Sequence, residues 1–180
     1  MTLLDPFTDE LDGPMYVVTA AAGGQRAGCL VGFASQCSID PPRFCVWLST
    51  ANRTYRLARE AEHLTVHLLH QGDRAVAELF GEETGDRVDK FARVRWRPGE
   101  AGSPVLDPLS TWFTGRIVGH VEAGDHVGFL LAPVAVCPPH GDPRPHCCAT
   151  GSCGTSTPAT PPDPAGGPGP GRPGLNPPSG

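Results

Sequence analysis

The large apolar residues of this 180-residue chain stop almost at one point. They recur up to Val136, whereas residues 138–180 are dominated by Pro and Gly and carry Leu175 as their sole large apolar side chain. A segment of that composition cannot bury enough surface to offset its ordering entropy, so 138–180 is expected to be a disordered tail. Any core must come from the first 137 residues. With 39% apolar residues overall, concentrated in that part, they suffice for one domain.

Within that domain, hydrophobic patterning predicts mainly strands. Met15–Ala22 reads as a strand, Gly23-Gly24 as a hairpin turn, and Gln25–Gly32 as its partner. Phe44–Leu48 and Leu64–Leu69 are further apolar runs. Helices are expected from Asn52 onward through TYRLAREAEHL and across DRAVAELFG, where Val76, Leu79 and Phe80 form one stripe and Gly81 ends it. Residues 81–96 read as a polar connection containing Asp89-Lys90-Phe91. Trp112–Glu122 reads as a barrel wall, with Phe113, Ile117 and Val121 on its dry face, and Gly124-Asp125 as a turn into a last strand from His126. The lead-in, 1–13, has Leu3, Leu4, Phe7 and Leu11 to lay along the barrel or a partner.

The stretch Gly28–Thr54 holds the candidate site. Its first half mixes small and polar residues, so that a flat ligand could approach the backbone of Val31, Gly32, Phe33 and Ala34, with Ser35, Gln36 and Ser38 as donors before the Asp40-Pro41-Pro42 turn. Its second half ends at a helix start. Asn52 is placed to cap, and Arg53 and Thr54 add a cation and a hydroxyl to the orphan amides there, an arrangement that favours an anion. The alternative is an ordinary cap with a solvated arginine.

The order of these pieces resembles the flavin reductase-like, FMN-binding split-barrel family. The resemblance lies in Cys37-Ser38-Ile39-Asp40-Pro41-Pro42, the strand Phe44–Leu48, the polar loop Ser49–Thr54, the Gly102–Leu106 turn and Gly124-Asp125-His126 before VGFLLAPVAV; it covers Pro14–Val136. Where relatives often have Thr-Ala-x-Ser, this chain has Leu30-Val31-Gly32-Phe33, and Gln36 replaces a common serine. The resemblance implies an antiparallel split β-barrel of about six strands with flanking helices over residues 14–137. It also implies a homodimer that holds FMN, or FAD, near the subunit interface.

What it implies for function is hydride transfer from NAD(P)H to the flavin, followed by delivery of electrons to free flavin or a partner monooxygenase. Ser35, Gln36 and Ser38 would hold ribityl or phosphate oxygens, and Asn52, Arg53 and Thr54 would complete the phosphate site. Lys90 and Phe91 would lie near the flavin or the dimer edge, and His126 would orient the nicotinamide or the ring. A non-catalytic flavin carrier and a barrel oxidoreductase using a deazaflavin are the other readings.

Charge and motifs narrow the classes further. The formal net charge is −5, so no basic surface invites nucleic acid or an anionic membrane. No apolar run approaches the roughly 20 residues of a membrane span, and the acidic N-terminus lacks signal-peptide features; a cytoplasmic protein is expected. Phosphate-loop, dinucleotide-fingerprint and Gly-x-Ser-x-Gly motifs are absent from the sequence. Cys29, Cys37 and Cys45 read as small buried hydrophobes in a reducing compartment. Cys137, Cys147, Cys148 and Cys153, with His140 and His146, match no zinc spacing, so no metal is expected. His63 and His67 share one strand face and read as surface or half-buried residues.

Overall fold

The computed structural model describes residues 2–82 and 88–137; the tail, its three cysteines and its two histidines lie outside the described residues. The chain begins with a single helical turn, α1 (Asp5–Thr8). Next comes the hairpin of β1 (Tyr16–Ala22) and β2 (Gln25–Val31), turned by Gly23 and Gly24 at φ of 54° and 74°, a region that glycine enters without a Cβ clash. β3 (Ala34–Ser38), β4 (Arg43–Ser49), α2 (Arg53–Ala58), β5 (His63–Leu68) and α3 (Arg74–Gly81) follow. The last elements are a short hairpin of β6 (Trp96–Pro98) with β7 (Pro104–Leu106), then the long strands β8 (Trp112–Ala123) and β9 (His126–Cys137).

Seven strands form one antiparallel sheet in the order β2-β1-β5-β8-β9-β4-β3. Its two edge strands, β2 and β3, are consecutive in sequence, separated by Gly32 and Phe33 alone. A two-residue link cannot span an open seven-stranded sheet at about 4.8 Å per strand, so the sheet must curl until its edges approach. The result is a split barrel. Its interior is filled by alternate residues of the wall, Val18 and Ala20, Cys29 and Val31, Val46 and Leu48, Leu64 and Val66, Phe129 and Leu131, with Leu57 and Ala58 of α2 plugging one end. A second cluster covers the outer face of β1 and β2: Val17, Leu69, Phe80, Phe91, Leu106 and Leu109.

The structure departs from expectation where long-range pairing decides. A seventh strand exists because the polar run Ala34–Ser38, read from the sequence as donors before a turn, pairs with β4. α2 stops at Ala58, earlier than its helix-forming sequence suggests, because the carbonyl of Glu62 is already bonded to the amide of Ile117 at 2.9 Å and the chain must turn into β5. Val121, expected on the dry face, is 42% exposed. Register shifts at Thr114/Gly115 and Ile117/Gly119 break the strict alternation of β8. Leu3, Leu4, Phe7 and Leu11 are exposed rather than packed on the barrel, and Cys37 is exposed while Cys29 and Cys45 are buried.

His67 is the largest correction. It is fully buried, with Nδ1 3.0 Å from the carbonyl oxygen of Val17 and Nε2 accepting the amide of Leu106 at 3.0 Å. A neutral ring that donates through Nδ1 satisfies both partners and fastens the β6–β7 hairpin across β1 and β5. Burial, the dominant cause, depresses its pKa to about 4. Beside it Thr19, Thr65, Ser103 and Thr114 form a second buried polar group, with Thr65 Oγ1 2.9 Å from both Ser103 Oγ and Thr114 Oγ1, and Thr19 Oγ1 donating to the carbonyl of Pro104 at 2.6 Å.

Candidate functional site

The start of α2 forms as its sequence suggests. Asn52 is extended (φ −82°, ψ 140°) and its Oδ1 accepts the amide of Thr54 at 2.9 Å. This cap points the chain so that Arg53 leaves toward β2, where its guanidinium donates to Gln25 Oε1 at 3.4 Å. Thr54 turns the other way and is 1% exposed, against the thiol of Cys29. Burial pushes that thiol up to about 11, so Cys29 is an inert packing residue.

Arg53 lines an open cavity of about 350 Å³ together with Gln25, Asp89, Lys90, Phe91 and the β2 backbone as far as Gly28. Asp89 opens a short turn by accepting the amide of Phe91 at 3.0 Å. Phe91 is thereby set edge-on to Phe80 and Trp96, with Arg26 lying 4.9 Å over the Trp96 ring and paired to Asp89 at 3.3 Å. Lys90 is 5% exposed; its ammonium donates to the carbonyls of Phe80 at 2.9 Å and Gly28 at 3.4 Å. Three cations against one paired carboxylate give the cavity a lining that suits an anion.

A second group of expected residues gathers at the far end of β2. Phe33, 64% exposed, meets His126 edge-on with ring centroids 5.3 Å apart. His126 Nδ1 is 2.8 Å from Asp125 Oδ1, and that hydrogen bond, reinforced by the ring's charge, holds the Asp125 carboxyl below its ordinary value. The amide and hydroxyl of Thr50 both donate to the carbonyl of Asp125, at 2.9 and 3.2 Å, so the His126 turn is stitched to the loop that leads into Asn52 and Arg53.

The expected residues therefore divide. Arg53, Lys90 and Phe91 share a cavity, Phe33 and His126 share a contact, and the Ser49–Asn52 loop joins the two places. Gly32, Ser35 and Gln36 are exposed, Ala34 is half-buried, and Val31 is buried in the core. Ser38 is not brought to Arg53: it pairs with Arg43, at the end of β4 remote from Ser49, and seven strand residues span roughly 20 Å. Gln25 and Asp89 line the same cavity and were passed over by sequence reasoning; Gln25 directly follows the glycine turn, and Asp89 directly precedes the named Lys90. Among the described residues no cluster of three His, Cys, Asp or Glu could hold a metal, and no helix is long and apolar enough to cross a membrane.

Comparison with known proteins places this geometry in context. A family model described as "Flavin reductase like domain" matches residues 8–152. The chain is 32% identical over 127 residues to a protein of Methylorubrum extorquens named FMN reductase (NADH) RutF 1, covering 70% of this chain and 62% of that protein. It is 27% identical over 124 residues to the reductase component of a flavin-dependent trigonelline monooxygenase of Acinetobacter baylyi, covering 69% of this chain and 39% of that one. The chain thus spans about two fifths to three fifths of the length of these curated relatives. In fold it is similar to an FMN-binding protein of Thermus thermophilus, with a TM-score of 0.70 at 23% identity over 77% of each chain.

Proposed function

From the premise that the chain belongs to the flavin reductase-like family, we propose that it binds a flavin through its FMN portion and reduces it with NAD(P)H, the bound ring supplying N5 as hydride acceptor. The observation that carries this reading is the convergence of Arg53, Lys90 and Phe91 on one open, cation-lined cavity joined through the Ser49–Asn52 loop to the Phe33–His126 contact.

Each residue has a task in this reading. Arg53 binds the phosphate, steadied by Gln25, while Asn52 holds the turn that aims it. Thr54 acts by packing, since its hydroxyl faces Cys29. Gly32, Phe33 and Ala34 offer backbone to the ring, Val31 anchors that backbone in the core, and Ser35 hydrogen-bonds at the ring edge. Gln36 and Ser38, which pair with Phe44 and Arg43 along β3, are left without a phosphate role in this reading. Lys90 and Phe91 form the wall of the cavity, and His126, oriented by Asp125, positions the reduced nicotinamide against the ring. No side chain acts as a nucleophile.

The proposed setting is a cytoplasmic homodimer that supplies reduced flavin to a partner monooxygenase, in keeping with the relative named as a monooxygenase reductase component. The test is the visible spectrum of the protein titrated with FMN, followed by NADH and then NADPH without oxygen. A bound band that bleaches supports the reading and identifies the donor. A bound band that stays oxidised with both donors moves the protein to a carrier or to a deazaflavin-dependent enzyme, and no bound band ends the reading. Arg53→Ala is expected to weaken FMN roughly tenfold or more while leaving the circular dichroism unchanged.

A further inference from the structure

The cavity at Arg53 does not end at Arg53. A second open cavity, of about 510 Å³, is lined by Ala22, Gln25, Arg53, Arg56, Leu57 and Glu60. It shares Arg53 and Gln25, themselves hydrogen-bonded at 3.4 Å, with the first, so the two cavities adjoin on either side of the guanidinium. Arg53 and Arg56 stand three residues apart on α2 and are therefore neighbours on one helix face. Beyond them the groove changes character: Leu57 and Ala22 give it an apolar floor, and the exposed carboxylate of Glu60 closes its far side.

A mononucleotide flavin ends at one phosphate and has no group to place beyond Arg53. A dinucleotide continues with a second phosphate, a ribose and a flat base. The order of chemistry along the groove is the same: one guanidinium, a second guanidinium, then an acceptor for ribose hydroxyls beside an apolar patch for a base. We propose that this groove selects FAD over FMN, with Arg53 on the first phosphate, Arg56 on the second and Glu60 on the adenosine ribose. This inference rests on the reading of the Arg53 cavity as a flavin site. Adjacency at Arg53, the residue proposed for the flavin's first phosphate, assigns the groove to the flavin's own second half rather than to the nicotinamide donor, whose reacting ring is proposed to lie at His126.

The experiment measures dissociation constants of the full chain for FMN and FAD by flavin fluorescence, and KM for NADH, in the wild type and in Arg56→Ala and Glu60→Gln. The expected result is FAD bound about tenfold tighter than FMN, a ratio that falls toward one in Arg56→Ala and partway in Glu60→Gln, with KM for NADH unmoved. Equal affinity of the wild type for both flavins overturns the proposal and leaves the flavin reading intact. A ratio that survives Arg56→Ala overturns it too. A KM for NADH that rises in Arg56→Ala at constant flavin ratio assigns the groove to the donor dinucleotide instead and overturns it. Failure to bind either flavin sinks the underlying reading along with the inference.

Discussion

His67 fixes a junction with one proton. Its two partners, Val17 and Leu106, lie 50 and 39 residues away in sequence; Nδ1 donates to the first whether or not the ring is charged, whereas Nε2 accepts from the second only in the neutral ring. The unfolded chain takes up this proton near the ordinary value of 6.5, whereas the folded ring resists it until about pH 4. Between those values the unfolded state binds more protons, so stability is full above 6.5 and is lost as pH falls, by roughly 3 kcal/mol at pH 4. Urea midpoints across this range should show that slope in the wild type and a flatter one in His67→Gln. His67→Ala should cost about 3 kcal/mol at pH 7, because it opens a cavity and strands two backbone groups. None of this was legible from the sequence: a histidine on an apolar strand looks the same whether its partners are solvent or a hairpin 39 residues on.

At the level of elements, α3 and β2 approach through a reciprocal pair of glycines. A Cβ at Gly28 of β2 would lie 2.7 Å from Phe80 Cε1 and 3.2 Å from Thr19 Cγ2, and one at Gly81 of α3 would lie 2.9 Å from Leu30 Cδ2. Phe80 is locked between Phe91 and the barrel, while Leu30 is half-buried and can swing, so Gly28→Ala should destabilise by about 1–3 kcal/mol and Gly81→Ala by less, as read from urea unfolding. The elements that the sequence revealed are those with local punctuation, such as the Gly23-Gly24 hairpin, the Asn52 cap and the α3 stripe ending at Gly81. Those it concealed are strands only by pairing: β3 is polar and exposed, and β6 and β7 are three residues each. The site followed the same division. Arg53 was legible from its cap and Lys90, 37 residues after it, only through the family resemblance, whereas Gln25 arrives from 28 residues before it, which no local pattern records.

Across the whole molecule, one row of side chains runs over the outer surface from β8 to β3. Val121 pairs with Gly128, Gly128 pairs with Trp47, and the amide of Trp47 donates to the carbonyl of Phe33 at 2.9 Å. Gly128 has no side chain because Trp47 lies over it; a Cβ there would be 3.0 Å from Trp47 Cζ3. The row ends at the Phe33–His126 contact, so a second copy docked on it would cover the edge of the proposed flavin site. If the proposed dimer uses this surface, sedimentation of Val121→Lys should show the monomer mass where the wild type shows twice that, and flavin affinity should fall with it. A wild type that sediments as a monomer excludes the dimer.

The Gly32-Phe33 link carries no ladder of its own: β2 bonds to β1, β3 bonds to β4, and the Phe33 carbonyl belongs to Trp47. Severing the chain there would cut no strand from its neighbour, and would leave a hairpin, β1–β2, whose only ladder to the remainder is β5, with side-chain packing against α2, α3 and the β6–β7 hairpin besides. The molecule is thus built like a clasp bracelet, whose links are hydrogen bonds and whose clasp is covalent. A split version, with the break at this clasp and the two pieces brought together by fused partners, would report their association by regaining the proposed flavin site, to which this link would lend its backbone only when the bracelet is closed.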